Sequence, residues 1–369
     1  MKKYLVLLVV VIFIAALGYF VFFGSEGKKE TIKIGAIMTL SGNVSYWPTE
    51  LKKGMDLAYS ERDSTKDNVQ LLYEDDAFKS NLAISAYNKL TKVNAVDVII
   101  TSFAPIANAL IPISEKDNIP LIASIAATSN IAKGYKWIFR DYVTQEQQCP
   151  LLAEYVYNEL NLKRGSYLVI DDDFGKDGII QFNRKFVELG GEPITGEQIS
   201  QTENTSRNEI LKILNKSPEF IYVIARDQLL ISICNQIREM NKEIQIIGVN
   251  PFDTNVVWDA LGKNGEGIYF TSSYFSVEDN EDSKRFYHSY KEKYNEEPTY
   301  TSIYGYTMMK YLLDVVRGAK NKEDIRNRLE LLNTQSIRGN LVTNNNHDII
   351  SPIGLYKREN GKTILITHK

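Results

Sequence analysis

The sequence predicts an α/β fold of two doubly wound parallel-sheet lobes, and three observations point to it. Short β-branched runs alternate with amphipathic helical stretches through about the first 270 residues. The alternation then gives way to mainly helical sequence from Ser276 to Leu332, followed by strand-like sequence from Gly339 to Thr367. About 340 residues follow an apolar opening, more than one core comfortably holds. Strand, helix, strand at this rhythm buries a parallel sheet between helices. Later helices that return to complete the first lobe explain why the rhythm changes.

The chain opens with Lys2 and Lys3, then runs from Tyr4 to Phe23 without a charged or amide side chain. Twenty residues at about 1.5 Å each cover roughly 30 Å, the thickness of a bilayer's hydrocarbon core. That length favours an N-terminal transmembrane helix, with a cleaved signal as the alternative, because signals carry shorter apolar regions. The lysines before the span place everything from Gly24 onward on the outer side.

Strands are expected at Ile32 to Met38, Val69 to Tyr73, Val96 to Thr101 and Pro120 to Ser124, then at Tyr167 to Asp171, Phe220 to Ala225, Ile244 to Gly248 and Gly267 to Thr271. Helices are expected near Pro48 to Arg62, Ser80 to Lys92, Ile106 to Lys116 and Gln147 to Leu160, then near Gly178 to Leu189, Ser206 to Leu214 and Asp227 to Met240. A tyrosine-rich stretch, Tyr287 to Tyr311, falls in the later helical part.

Beyond residue 30 the chain carries 39 Lys/Arg against 44 Asp/Glu, a diffuse negative charge with no footprint for nucleic acid. Cys149 and Cys234 lie in apolar helical sequence and read as two separate buried thiols rather than a disulfide. His288, His347 and His368 are scattered, so neither a metal site nor a cofactor is expected. The dinucleotide, phosphate-loop and nucleophile-elbow glycine signatures are missing, which weighs against an enzyme.

Several strand ends carry polar or small residues. Ser41-Gly42-Asn43 follows the first strand, where a ligand meets a parallel sheet. Glu74-Asp75-Asp76 and Asp171-Asp172-Asp173-Phe174-Gly175 read as structural acids at strand ends and helix starts rather than as metal ligands. Ala126-Ala127-Thr128-Ser129-Asn130 offers backbone amides and hydroxyls to a ligand, or caps a following helix. Trp47, just past the first strand, either closes over a ligand or packs in the core, and its place at the mouth of a parallel sheet favours the ligand.

In order and spacing, Ile34-Gly35-Ala36 to Ser41-Gly42, Gly54-Met55-Asp56-Leu57-Ala58, Tyr73-Glu74-Asp75-Asp76, Ile119 to Ser124, Ala126-Ala127-Thr128, Phe139-Arg140 and Asp171 to Gly175 resemble a known family. It is the type I periplasmic binding proteins, in the branched-chain amino-acid branch of the ABC-transporter substrate-binding proteins. The resemblance covers about Ile32 to Thr367. It implies lobe 1 over 31–141 and 272–337, lobe 2 over 142–271 and 338–369, and a three-crossing hinge between them. Residues 1–30 are the anchor or signal with its spacer.

The same resemblance implies a small ligand clamped between the lobes, with ABC permease subunits as partners and no catalysis. By it, Trp47 covers the ligand, and Ala126 and Thr128 hold an amino-acid head group. The family's serine pair corresponds to Ala104-Pro105, which has no hydroxyl, and Ser102 is the substitute. The tyrosine of the D-x-x-Y-G element is Phe174, the second-lobe acid is Asn250, and an aromatic contact falls near Asp227. A buried ammonium needs a carboxylate. Either Asp227 supplies it, or the ligand is not a free amino acid. The expectation is an extracytoplasmic solute-binding protein of an ABC importer for a small polar ligand, an amino acid favoured. A sensory protein of the same fold is the alternative.

Overall fold

The computed structural model describes residues 31–64, 68–203 and 205–369. The expected membrane span, Tyr4 to Phe23, lies outside them, and among the described residues no helix is long and apolar enough to cross a membrane.

The first sheet is parallel, in the order β2 (Val69–Asp75), β1 (Ile32–Met38), β3 (Val98–Ser102), β4 (Leu121–Ser124), β5 (Ile138–Asp141). Every residue of β3 and β4 is buried. Helices on both faces require this, and it is why these strands read as continuous runs rather than as alternating ones. Helices α1 (Tyr46–Ser60), α2 (Ser80–Asn88) and α3 (Ala104–Asp117) connect the strands. The helix expected over Ser80 to Lys92 is α only to Asn88 and finishes as a π-turn, Lys89–Val93.

The chain then moves to a second sheet. Its order is β15 (Lys362–His368), β14 (Ile353–Glu359), β10 (Tyr269–Ser273), β9 (Gln245–Gly248), β8 (Phe220–Ile224), β6 (Gly165–Ile170), β7 (Thr195–Ile199). Strands β6 to β10 are parallel, and the terminal hairpin β14–β15 adds antiparallel. Around this sheet lie α4 (Gln145–Asn158), α5 (Asp173–Glu188), α6 (Arg207–Leu214), α7 (Asp227–Met240) and α8 (Asn255–Leu261). After β10 come α9 (Glu281–Tyr294), α10 (Tyr300–Val316) and α11 (Lys322–Glu330), and α10 lies along α1. The late helices thus pack beside the helices of the first sheet. Both cysteines are buried and free.

Three expectations need correction. Strands β5 and β7 were not anticipated. The first is four residues long and includes Arg140 and Asp141, and the second is a polar edge strand, so neither presents an apolar run. Helix α5 begins at Asp173, five residues before the expected Gly178, because Asp172 caps it by accepting from the Gly175 amide at 2.9 Å. The last passage between the large sheets falls at residues 351–352 rather than at 337/338. A small antiparallel sheet, β11 (Asn333–Ser336), β12 (Gly339–Thr343) and β13 (Ile349–Ile350), is fastened to β5 first.

That fastening is electrostatic. Asp141 accepts from Arg338 Nη2 at 2.8 and 3.0 Å, with both side chains wholly buried. Arg140 donates to Asp348 through Nε and Nη2, each at 2.7 Å. The Arg338 guanidinium also lies 3.8 Å from the Tyr304 ring centroid, and Tyr311 donates to Asp141 at 3.1 Å.

Candidate functional site

Between the two sheets lies a cleft of about 370 Å³, walled by loops that leave the carboxyl ends of the strands. This is where a parallel α/β sheet presents ligands, because each strand hands over to a loop and a helix start there.

The first lobe contributes a largely apolar wall. Trp47 stands in the first turn of α1, with its ring centroid 5.3 Å from that of Tyr300 at the start of α10. Phe78 and Phe103, from the loops after β2 and β3, meet edge to face at 5.4 Å and 82°. Val44, Ile125 and Ala127 complete the wall, with Asn108 and Thr128 as its polar side chains beside the Tyr300 hydroxyl. The acids after β2 hold the Phe78 loop in place. Asp76 Oδ1 accepts from Thr39 Oγ1 at 2.6 Å and from the Phe78 amide at 2.8 Å, and Asp75 accepts from the Leu40 and Ala77 amides at 2.9 Å each. These acids are structural, as their strand-end position suggests.

The second lobe contributes the charge. Asp172, Asp173, Arg226 and Asp227 all line the cleft. Arg226 Nη1 donates to Asp172 Oδ2 at 2.7 Å, and the guanidinium sits 4.7 Å from the Phe174 ring centroid. Asp227 opens α7 with its side chain open to the cleft. The protein crowded around it raises its pKa, while Arg226 and the Trp47 indole across the cleft pull it back.

Four cleft residues hold positive φ although they are not glycine: Phe78 (57°), Phe103 (65°), Ile125 (51°) and Asp227 (50°). Each follows a strand of a parallel sheet. Such conformations cost about 1–3 kcal/mol apiece and concentrate at ligand clamps.

Where the lobes meet, Tyr142 donates to the Tyr300 hydroxyl at 3.1 Å and accepts from Asn250 Nδ2 at 3.0 Å. Asn250 Oδ1 accepts from Gln148 Nε2 at 3.0 Å. The Asn250 amide is therefore committed to protein partners, and it orients Tyr142. On the rim, outside the cleft lining, Ser129 Oγ of the first lobe donates to Asp177 Oδ2 on α5 at 2.6 Å.

Of the seven residues expected at the site, Trp47, Thr128, Phe174, Asp227 and Asn250 come together in the lining. Ser102 and Ala126 do not. Ser102 is buried at the end of β3, where its hydroxyl accepts from the Thr39 amide at 3.3 Å. Ala126 packs into the apolar cluster under the first sheet with Ile37 and Ile106, and Ala127 faces the cleft instead. The segment after Ala126 caps no helix, since irregular chain runs from there to β5. Phe78, Phe103, Tyr142, Arg226 and Tyr300 were missed. Phe103 directly follows β3, Tyr142 directly follows the unanticipated β5, and Arg226 stands two residues past β8, so strand ends mark these positions only once the strands themselves are placed. Tyr300 lay in the tyrosine-rich stretch that had no assigned role.

Comparison with known proteins gives the same architecture. A family model described as a periplasmic binding protein matches residues 31–362. The Leu/Ile/Val-binding protein homolog 6 of Brucella suis is 22% identical over 328 residues, covering 86% of this chain and 84% of that protein. The branched-chain amino-acid substrate-binding protein LivJ of Streptococcus pneumoniae, solved with isoleucine, superposes with a TM-score of 0.82 at 22% identity over 92% of this chain and 99% of LivJ. A solute-binding protein of an ABC transporter from R. palustris, solved with benzoate, gives 0.80 at 19% identity over 92% and 96%. These neighbours are solute-binding proteins, not enzymes. With the matching model spanning nearly all of the described chain, the protein belongs to the periplasmic binding protein family, in the type I branch that holds the Leu/Ile/Val-binding homologues.

Proposed function

We propose that the protein is the extracytoplasmic solute-binding component of an ABC-type importer, clamping one small polar ligand between its lobes by hinge closure. The observation that carries this reading is the cleft itself. Two separate sheets meet across a space of solute size, with a largely apolar wall on one side and charged groups on the other. Contacts drawn from both walls exist only when the lobes are together, so a ligand shifts the population toward the shut form.

An amino acid is the favoured ligand class. A carboxylate at Asp227 suits an ammonium, and the relatives whose names state a ligand include an isoleucine binder. The apolar run Tyr4 to Phe23 supports attachment to the membrane, with permease subunits as the partners that read the shut form.

A thermal-shift screen of the full chain against amino acids, amines, amides and carboxylates tests the reading. Binding raises apparent stability by mass action, by about 2.7 kcal/mol at one hundred times Kd. A flat response across every class would remove it.

A further inference from the structure

We propose that a second hollow, at the other end of the first sheet from the cleft, seats the phosphate headgroup of an anionic membrane lipid against Lys33, Lys320 and Lys322. This goes beyond the solute-binding reading. It rests on the membrane attachment proposed above and is independent of any solute in the cleft.

The hollow measures about 650 Å³ and lies where β1, β2 and β3 begin, between the end of α10 and the start of α11. Parallel strands gather their amino ends on one side of a lobe and their carboxyl ends on the other. This site and the cleft are therefore separated by the length of the strands, about 23 Å for the seven residues of β1. Thr31 stands on the wall of the hollow. Only the spacer Gly24 to Glu30 separates it from the apolar run, and seven residues reach at most about 25 Å. With Tyr4 to Phe23 in a bilayer, the hollow is held within that reach of the membrane surface.

Its charge runs against that of the molecule. Beyond residue 30 the chain carries more acids than bases. Among the described residues, the charged side chains of this lining are Lys33, Arg317, Lys320 and Lys322 against Asp97. Acids outside the lining offset part of this. Asp314 meets Arg317 at 2.9 Å, Asp324 meets Arg328 at 3.1 Å, and Glu323 lies 4.0 Å from Lys136. The three lysines remain as the excess. Lys33 gives one Nζ proton to the Asn94 carbonyl at 2.7 Å and keeps two. Helix α11 starts at Lys322 and adds the positive end of its dipole. The negative end of α10 is already covered, since Arg328 donates to the Val315 and Arg317 carbonyls at 3.0 and 2.9 Å.

Below the lysines the floor is apolar, made by the buried side chains of Val69, Val316 and Ile325. A cationic rim over an apolar floor suits an amphiphile, whose phosphate meets the lysines while its ester and first methylenes cover the floor. Free phosphate would use the rim alone.

Native mass spectrometry of the full chain in a neutral detergent, titrated with dihexanoyl phosphatidylglycerol, dihexanoyl phosphatidylcholine or inorganic phosphate, tests the proposal. One phosphatidylglycerol per chain is expected, bound at least about tenfold more tightly than either of the others. Lys320→Gln and Lys322→Gln should each weaken it by about fivefold, and Lys320→Arg should retain it. Unchanged melting temperatures separate lost contact from lost folding. Equal binding of phosphatidylcholine would show that charge does not select, and equal binding of phosphate would make this a soluble-anion site. Undiminished phosphatidylglycerol binding in both glutamine variants would move the lipid elsewhere. A dimer instead of a lipid adduct would put a second copy in the hollow, and lipid binding seen only after Glu26→Gln and Glu30→Gln would put the spacer there. Each of these results overturns the assignment and leaves the solute-binding reading intact. A mature chain that lacks the apolar run removes the attachment and this proposal with it.

Discussion

Trp47 is the one tryptophan of three that reaches the cleft, since Trp137 and Trp258 are 6% and 3% exposed. Its emission should therefore change when a solute enters and the lobes shut, and Trp47→Phe should abolish that change while leaving binding measurable by calorimetry. A persisting signal would assign the change to a buried indole. At this scale the sequence was only partly legible. Trp47 and Thr128 could be found because they stand in the segments that follow readable strands, and Asp227 was reached through the family resemblance. Phe78 and Phe103 could not, because no pattern in the sequence announces that a phenylalanine will be held at positive φ with its ring exposed. Ser102 misled for the opposite reason: a serine at a strand end looks available, and the Thr39 amide occupies its hydroxyl.

Helices α1 and α10 set the distance between Trp47 and Tyr300. They touch through two glycines in a reciprocal contact. A Cβ at Gly305 would lie 1.9 Å from the Leu51 carbonyl oxygen, and one at Gly54 would lie 1.9 Å from that of Ser302. Backbone stands against backbone, so neither side can yield by rotating a side chain. In an uncrowded helix, Gly→Ala stabilises by about 1 kcal/mol. Here Gly305→Ala should destabilise by roughly 1–3 kcal/mol, read by urea denaturation, and should weaken solute binding by spreading the two aromatic rings. A stabilised variant would show that the helices part freely. Elements with apolar runs were the legible ones. Strand β5 was hidden because Arg140 and Asp141, which look like loop residues, are buried and paired with residues about 200 positions away. Sequence spacing carries no sign of such a partner.

Across the whole molecule, the Ser129–Asp177 hydrogen bond links the lobes from the rim, outside the cleft lining. It forms only when they are together. A hydrogen bond of this kind contributes about 0.5–1.5 kcal/mol net. Ser129→Ala should therefore weaken solute affinity about two- to tenfold, mainly through faster release, with specificity unchanged. Surface plasmon resonance would measure it, and an unchanged release rate would show that the bond persists in the open form. The two-lobed plan was legible from length and from the loss of alternation after residue 270. The position of the last passage was not, because it depends on where β12 and β13 attach.

That attachment sets the geometry of any motion. Breaking a buried ion pair leaves an uncompensated charge and costs about 3–5 kcal/mol, so Arg338–Asp141 and Arg140–Asp348 stay made throughout an opening stroke. The first passage starts just past β5 and the third just past β13, and these two pairs pin both departure points to one spot. The hinge closure proposed above would consequently turn about a fixed axle instead of sliding, and its aperture would widen most at the edge farthest from Asp141.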